Sequence, residues 1–460
     1  MTQSSKKHLP RSRFRDRLLP ALRVVPTGRL AALLLAGAPL AGGAYALDAD
    51  LGALVFWAWN GTLAVLSALD LALLPGPNRL TAEREAPDRV DLGGSVAVRL
   101  AVRAAGGRQP AKGQVVDDLP DTFAGPDAWP ALTFQGRRAE ALYETRPTER
   151  GRYTLDTVFV RYRGSLGLWQ RQAHIPCTHE IRVLPDLSGV RGTLASMQRS
   201  LVLDGRRVFR RARSGTDFQS IRDYTPDDDP RTINWSATAR TLQPKVNVFQ
   251  PERGKIVTLL IDCGRMMGTE LAGKTKLDRS LEAALTLAAV ALQRGDQVAA
   301  LAFSGGLKAY VPPGKGMEHV QTIIDAVYDL KSDMSESNYG LALTHLAKIQ
   351  KKRSFMVLFS DMESYLFENE LAPYLIRLRR THLLLLLSLQ DPLLHEWAGI
   401  PVRRAKEAYI KSTALKMQED RRRYAARMAA LAIEVLDVPA DELALAAVNT
   451  YLDLKSRDAL

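Results

Sequence analysis

The sequence predicts a multidomain chain: an N-terminal two-helix transmembrane hairpin, a β-sandwich middle domain and a C-terminal α/β domain. Three observations predict it: two long apolar runs lie near the N-terminus, apolar and polar residues then alternate, and strand-like and helix-like patterns alternate in the last part of the chain. At 460 residues, the chain is too long for one compact core. The predicted parts are a basic tail at 1–29, the hairpin at 30–74, the sandwich at 80–187, a linking segment at 188–254 and the α/β domain at 255–456.

The net charge of +13 is concentrated before the first apolar run. Residues 1–29 carry eight Lys and Arg against Asp16, a net charge of +7. A nucleic-acid-binding protein would show a basic face with aromatic stacking residues or a known module, and the sequence has neither. A basic flank beside a membrane segment explains the charge better. We therefore expect no nucleic-acid partner.

The predicted hairpin consists of residues 30–47, which are uncharged, and residues 51–74, which are interrupted only by Asp70. At about 1.5 Å per residue, a helix of either length can cross a hydrocarbon core of roughly 30 Å. Lys and Arg precede the first run and resume at Arg79. By the positive-inside rule, both termini and the bulk of the chain face the cytosol at a bacterial inner membrane.

Two features of the hairpin have alternative interpretations. Ala44-Tyr45-Ala46 is similar to the cleavage site of a secretory signal, but the N-terminal region is long and a second span follows at once. Even after cleavage, the second span would stop transfer. Asp70 is either an intramembrane functional carboxylate or, as we favour, an acid that reaches the headgroup region.

The β-sandwich is predicted from alternation, as in Val96, Val98, Leu100 and Val102. Residues 153–162 and 180–184 show similar patterns. Turn signals separate these runs, and short strands between turns favour a sandwich. The turn signals are Gly93-Gly94, Gly106-Gly107 and Gly125-Pro126.

The cysteines and their neighbouring histidines indicate no special chemistry. Cys177 and Cys263 are too few for a disulfide framework. His174, Cys177 and His179 do not have zinc-ligand spacing, so we interpret them as strand residues.

After residue 255, strands and helices alternate, which predicts a mostly parallel sheet covered on both faces. Ligands bind such sheets at the carboxyl ends of the strands. Asp262 and Asp361 follow two predicted strands, and Ser337 precedes a helix. Predicted strands occupy 257–261, 298–303, 307–311, 355–359, 383–389 and 433–436, and predicted helices occupy 277–292, 318–330, 339–350, 370–380, 404–431 and 440–454.

This acid pattern resembles the von Willebrand factor A domain, a Rossmann-like fold. In that fold, an adhesion site takes Mg²⁺ ligands from an Asp-x-Ser-x-Ser loop, a Thr and a third-loop Asp. The resemblance implies that Asp262, Ser337 and Asp361 form this set. However, Gly264 and Met266 replace both serines. We therefore expect a metal-free relative of the fold with no cofactor, and Mg²⁺ binding is the alternative.

The linking segment carries the most distinctive motif, and it resembles the signature of the domain of unknown function 58 family. Asp227 stands where that family usually has Gly. Residues 150–153 and 166–169 also resemble the family's upstream β region. The matching residues are Gly215, Phe218, Arg222, Tyr224, Asp228, Asp229, Arg231, Asn234, Trp235, Ala239 and Arg240.

The charged residues of this segment predict a charge-assisted hydrogen-bond network. The segment contains no His or Cys, so a structural or docking role is favoured over an active site. The arginines between residues 206 and 213 are interpreted as a solvated face, with docking on an acidic partner or lipid headgroups as the alternative.

The family resemblance implies association with MoxR-type AAA+ ATPases and a role in assembly or maturation of other proteins. We therefore expect a non-enzymatic, membrane-anchored adaptor that binds protein clients. The alternatives are a divalent-metal-dependent hydrolase that uses Asp262 and Asp361, and an envelope scaffold.

Overall fold

The computed structural model describes residues 24–105, 110–192, 217–226, 228–250, 254–271, 273–361, 371–457 and 460. The chain divides into two units, Met1–Leu184 and Pro185–Leu460. The first unit therefore joins the predicted hairpin and the predicted sandwich region, which the sequence had separated.

Two apolar helices stand at the start of the first unit: α1 is Gly28–Leu47 and α2 is Ala49–Leu73. Asp48 separates them, and its side chain accepts a hydrogen bond of 3.1 Å from the backbone N–H of Asp50, so it caps α2. Both helices are long and apolar enough to cross a membrane, and few of their residues are buried within the protein. The two apolar helices of the prediction are confirmed.

The rest of the first unit is β-structure in two sheets. One sheet has the order β1-β10-β9-β5-β7, with β3 also paired to β10, and the other has the order β2-β4-β8-β6. Apolar residues of both sheets share one core, which contains Val98, Leu100, Val160 and Ile181. The strands are β1 Val24–Pro26, β2 Leu80–Glu85, β3 Arg89–Asp91, β4 Val96–Ala104, β5 Lys112–Asp117, β6 Phe123–Ala124, β7 Ala131–Thr133, β8 Arg138–Pro147, β9 Gly151–Arg163 and β10 Trp169–Leu184. His174, Cys177 and His179 all lie on β10.

Arg84 of β2 connects the two sheets. Its guanidinium forms a buried ion pair with Asp117 of β5 and donates a hydrogen bond of 2.8 Å to the carbonyl of Leu155 on β9. It also donates to the carbonyl of Cys177 on β10. One side chain of the second sheet thus satisfies groups on three strands of the first.

The signature segment forms a small element of the second unit. Strands β11, Asp217–Asp223, and β12, Lys245–Gln250, pair antiparallel. Between them lie a 3₁₀ turn, Pro230–Thr232, and a short helix α3, Trp235–Thr241.

The main sheet of the second unit has the order β17-β16-β13-β18-β19-β20. All its neighbouring strands are parallel, except that β17 runs antiparallel to β16. The strands are β13 Ile256–Asp262, β16 Gln297–Phe303, β17 Leu307–Gly314, β18 Ser354–Phe359, β19 Leu383–Leu389 and β20 Glu434–Val438. Two further short strands, β14 Glu270–Leu271 and β15 Lys274–Thr275, pair antiparallel with each other. Because the parallel strands of this sheet end at one edge, residues that follow β13 and β18 can meet there.

Helices connect and cover these strands. One apolar cluster joins the sheet to α6, α7 and α9, and α4 packs against β13, α5 and α10. The helices are α4 Lys276–Gln293, α5 Glu318–Val327, α6 Tyr339–Ile349, α7 Leu371–Arg379, α8 Pro392–Gly399, α9 Ala405–Ala430 and α10 Leu443–Ser456.

Candidate functional site

Asp262, at the carboxyl edge of the main sheet, accepts four hydrogen bonds. It is the last residue of β13, and its side chain is 0% exposed. One carboxylate oxygen accepts hydrogen bonds from the backbone N–H of Gly264, at 2.8 Å, and from the Ser337 hydroxyl. The other accepts from the hydroxyls of Tyr339, at 2.7 Å, and Ser360. A carboxylate has about four acceptor sites, so these donors occupy the acceptor capacity of Asp262.

Ser337 is therefore brought to Asp262, as the sequence suggested, but two further partners were not anticipated. Tyr339 is the first residue of α6, and Ser360 directly follows β18. The signal that could have indicated Ser360 was its place beside Asp361 at a strand end. The sequence pattern alone gave no indication of the Tyr339 hydroxyl.

Asp361 forms a buried ion pair with Lys276. Lys276 is the first residue of α4 and is 1% exposed. Its ammonium donates a hydrogen bond to Asp361, and a guanidinium nitrogen of Arg421 lies 4.0 Å from the other carboxylate oxygen. A fixed cation of the protein thus neutralises the acid that the resemblance assigns to a metal.

The start of α4 explains why Lys276 points inward. Thr275 caps the helix and forms a reciprocal capping box with Asp278. This box fixes the first turn, and Lys276 lies on the same helical face as the buried Ser280, Ala283 and Leu287. The linear pattern did not indicate this lysine, because its partner Asp361 lies 85 positions away in the chain.

The residues at this edge do not suit a divalent cation. A Cβ atom added to Gly264 would lie 2.1 Å from the Ser337 hydroxyl oxygen, so a serine at 264 has no room while Ser337 holds its place. Asp262 has no free acceptor site and Asp361 already holds an ammonium. Among the residues that the structure describes, no group of three or more His, Cys, Asp or Glu side chains is arranged around a potential metal position.

The loop between α5 and α6 is pinned across this edge. Ser304 and Lys308 donate hydrogen bonds of 2.7 and 2.8 Å to Asp333. Desolvation alone would raise the pKa of Asp333, but the hydrogen bonds from Lys308, Ser335 and Ser304 hold that pKa well below its usual range. The anchored loop presents Met334, which is 95% exposed.

Arg421 of α9 links the acid edge to the next strand ends. It is buried and donates hydrogen bonds of 2.8 Å to the carbonyl of Leu389 and 2.7 Å to Asp437. A cavity of about 270 Å³ lies beside it. Its polar lining includes Gln390, His395, Gln418 and Arg422.

The signature segment forms its charge network in part. Arg222 donates to Asp228 at 2.8 Å, and Asp228 also accepts from the backbone N–H of Thr225 at 2.9 Å. The hydrogen bond from Arg222, followed by those from Thr225, lowers the pKa of Asp228 to about 2. Tyr224 contributes a backbone hydrogen bond of 3.0 Å to the carbonyl of Pro244. The hydrogen bonds of Asp228 with Arg222 and Thr225 therefore fix the turn that follows β11.

Two other signature residues are caps. Asp229 accepts a hydrogen bond of 2.9 Å from the backbone N–H of Arg231 and so begins the 3₁₀ turn. Asn234 caps α3 by accepting from the backbone N–H of Ala237 at 3.0 Å, and it donates to Asn247 of β12 at 2.8 Å. These contacts explain the polar residue before Trp235.

Several side chains of this small element, within and beside the signature, face outward. Trp235 is 72% exposed and Leu242 is 91% exposed, and Ile221 is also exposed. Arg231 and Arg240 are exposed too, and the described part of the chain offers neither of them an ion pair. Gly215, Asp227 and the arginines between residues 206 and 213 lie outside the described residues, as does the side chain of Phe218.

Asp70 has a role that neither sequence interpretation anticipated. It is buried within the first unit, and one carboxylate oxygen accepts hydrogen bonds from the backbone N–H groups of Leu168, at 2.8 Å, and Trp169, at 3.0 Å. The indole N–H of Trp169 donates to Ser67 at 2.8 Å. Asp70 therefore holds α2 to the loop before β10.

Residues 220–401 match the family model described as protein of unknown function DUF58. Uncharacterized proteins of Mycobacterium tuberculosis and Mycobacterium bovis are 25% identical to this chain over 149 residues. That alignment covers 32% of this chain and 47% of the relatives, so the chain spans about half the length of the curated relatives that it matches. The two findings support the DUF58 family.

Solved structures resemble only a small part of the chain. The CARDB domain of the PF1109 protein from Pyrococcus furiosus is 14% identical with a TM-score of 0.15, and the match covers 23% of this chain and 87% of that domain. A cohesin module from a Clostridium perfringens family 33 glycoside hydrolase is 10% identical with a TM-score of 0.16, covering 23% and 96%. Likeness at such TM-scores does not establish a shared fold.

Proposed function

We propose that this protein is a non-enzymatic, membrane-anchored adaptor that works with a MoxR-type AAA+ ATPase in the assembly or maturation of other proteins. The helices α1 and α2 are the proposed anchor in a bacterial inner membrane, with the bulk of the chain in the cytosol. The observation that carries the proposal is a contrast. The acids suited to chemistry are buried, Asp262 among four hydrogen-bond donors and Asp361 against Lys276, whereas Trp235 is exposed.

We further propose that the first unit contains a β-sandwich and that the main sheet of the second unit is von Willebrand factor A-like. Two sheets around one core support the first assignment. Five parallel strands with one antiparallel edge strand, and helices between them, support the second. In this domain Lys276 takes the place of the metal, so that recognition does not depend on a divalent cation.

The docking surface that we propose is the exposed part of the small element formed by the signature segment, which includes Ile221, Trp235, Leu242, Arg231 and Arg240. Exposed tryptophan and arginine are the side chains that most often dominate binding energy at protein interfaces. Arg222, Asp228 and Asn234 hold this face in one conformation, which reduces the entropy lost on binding.

Crosslinking of the full chain to its AAA+ partner in native membranes tests the proposal. Trp235→Ala should reduce the crosslinked complex by about tenfold or more, because truncation removes a central anchor. Trp397→Ala, which removes another exposed tryptophan of the second unit, is the matched control and should leave the complex unchanged. No complex with the wild-type chain, or equal losses in both variants, would contradict the adaptor role.

The second candidate is a divalent-metal-dependent hydrolase, and one observation favours it: Asp262 ends β13 and Asp361 follows the adjacent parallel strand β18. Magnesium titration of the full chain separates the two candidates. If Mg²⁺ raises the melting temperature of the wild type but not of Asp361→Ala, a metal binds here and the enzyme is favoured. We expect no shift in either.

A further inference from the structure

One end of the two sheets of the first unit is held against the ends of the apolar helices. The Tyr162 hydroxyl and the Arg171 guanidinium donate hydrogen bonds of 2.7 and 3.0 Å to the carbonyl of Pro75, just after α2. The backbone N–H of Thr27, just before α1, donates to the carbonyl of Leu168 at 2.9 Å. If α1 and α2 cross a bilayer, this end of the sheets must lie at its surface.

Exposed basic residues are collected at that same end by the strand registers. Lys112 pairs with Arg163, and the backbone N–H of Ala105 bonds the carbonyl of Arg79. The backbone N–H of Ala104 likewise bonds the carbonyl of Arg137. We call the following exposed residues the basic collar: Arg29, Arg79, Lys112, Arg137 and Arg163.

Acidic side chains of the described residues do not neutralise the basic residues of the collar. Two neighbouring arginines of the same end do form surface ion pairs, Arg103 with Glu83 and Arg138 with Glu140. No collar residue forms an ion pair within the described ranges. The opposite end of the sheets carries both signs, because Asp88, Asp118, Asp121 and Glu149 lie there together with Arg89, Arg146 and Arg152.

An apolar loop tip lies inside the collar. Residues 164–168 connect β9 to β10 and are fixed by Asp70, one turn before the end of α2. Leu168 packs with Leu30 and Leu63 of the helices, whereas Leu166 is 45% exposed. An exposed leucine at the same end of the sheets as the collar suits a lipid surface, which has an apolar interior and an anionic headgroup layer.

We propose that the basic collar binds anionic phospholipid headgroups and that Leu166 inserts among them. The inference rests on the proposed membrane anchor, since only the anchor brings the collar to the bilayer. The partner is a lipid phosphate rather than a protein, because the surface lies where the helices enter the membrane. Each basic residue at an anionic leaflet strengthens binding roughly fivefold.

Native mass spectrometry of the full chain in detergent, titrated with phosphatidylglycerol or phosphatidylcholine, tests the proposal. The wild type should bind phosphatidylglycerol preferentially. The triple variant Arg79→Gln, Lys112→Gln, Arg163→Gln should bind it at least tenfold more weakly. The control variant Arg89→Gln, Arg146→Gln, Arg152→Gln removes the same charge from the opposite end and should change binding less than twofold.

Three outcomes would contradict lipid binding by the collar. They are no preference of the wild type for phosphatidylglycerol, no loss of binding in the collar variant, or equal losses of binding in both variants, which would indicate an effect of net charge alone. Thermal unfolding of each variant checks that the exposed substitutions leave the fold intact. Carbonate extraction of native membranes tests the anchor separately. If the chain stays in the pellet but shows no lipid preference, only lipid binding by the collar is contradicted. If carbonate extracts the chain, the membrane anchor is contradicted.

Discussion

At the residue scale, the central feature is a lysine ammonium at the carboxyl edge of a parallel sheet. Sequence reasoning found Asp262, Ser337 and Asp361 because acids at strand ends are visible in a linear pattern. It did not find Lys276, since the contact with Asp361 joins residues 85 positions apart through the packing of α4. The acids could be predicted, but what neutralises them could not.

Lys276→Met should destabilise the protein by about 3–5 kcal/mol, because it leaves the buried Asp361 carboxylate without its principal cation. Chemical denaturation of the full chain in detergent, followed by tryptophan fluorescence, measures this. Lys276→Met with Asp361→Asn should recover much of the loss, since the double variant removes both charges. If the two effects simply add, the ion pair is not the cause.

Asp70→Ala should lower the stability of the first unit by roughly 2–5 kcal/mol, because the backbone N–H groups of Leu168 and Trp169 lose their acceptor. Asp70→Asn keeps an acceptor oxygen and should cost less than half as much. Amide hydrogen exchange of residues 166–170 gives a local measurement. Equal protection in wild type and Asp70→Ala would show that the carboxylate does not hold this loop.

At the element scale, strands and helices were predicted well where the pattern was long and apolar. The predicted strand at 383–389 is confirmed as Leu383–Leu389, and the predicted hairpin partner of β16 is confirmed as β17. Helix α8 was missed, although Asp391 and Pro392 are its cap and first residue. The helix predicted over 440–454 is displaced to Leu443–Ser456, because propensity alone locates helix ends poorly.

Arg84, like Lys276, is a buried cation that is paired with a buried acid. Arg84→Met should cost about 3–5 kcal/mol, since Asp117 and two carbonyl groups on the opposite sheet lose a buried donor. Arg99→Met, on the neighbouring strand β4, removes only an exposed pair with Glu85 and should cost less than about 1 kcal/mol. Denaturation of both variants under one condition gives the comparison. Similar losses would argue against a bridging role for Arg84.

Acid should loosen the signature turn in a defined window. The pKa of Asp228 is about 2 in the folded protein and lies below its ordinary value of 3.8. Its stabilising contribution is therefore complete above pH 4 and is lost as the pH falls through 2. Hydrogen exchange at the Thr225 amide, corrected for intrinsic rate, should report this loss.

At neutral pH, Asp228→Asn should already expose the turn, so that trypsin cleaves after Arg222 and Arg231 faster than in wild type. Asp329→Asn removes an exposed acid elsewhere in the second unit and serves as the control. Equal cleavage of the two variants would contradict the role of Asp228.

At the scale of the whole molecule, the sequence separated the hairpin from the β-structure, but the structure joins them into one unit. Composition changes abruptly near residue 80 and so indicates a boundary. The hydrogen bonds that join the helices to the β-structure connect distant residues. The one from Leu168 to Asp70 spans 98 positions. Such pairs leave no local pattern.

The proposed topology predicts that proteinase K added to intact spheroplasts leaves the bulk of the chain undigested. Permeabilised spheroplasts should lose it, because the second unit then becomes accessible. Immunoblotting with an antibody against the C-terminus measures both. Digestion of the bulk before permeabilisation would mean that the positive-inside assignment is wrong.

The close approach of Gly264 to the Ser337 hydroxyl has a consequence for how this domain can change over generations. A serine introduced at 264 alone would bring its Cβ to 2.1 Å from the Ser337 hydroxyl oxygen, and removal of Lys276 alone would leave the buried Asp361 carboxylate without its ammonium partner. Each of these single substitutions is therefore expected to destabilise the domain. Related sequences are expected to change Gly264, Lys276 and Ser337 together rather than one at a time.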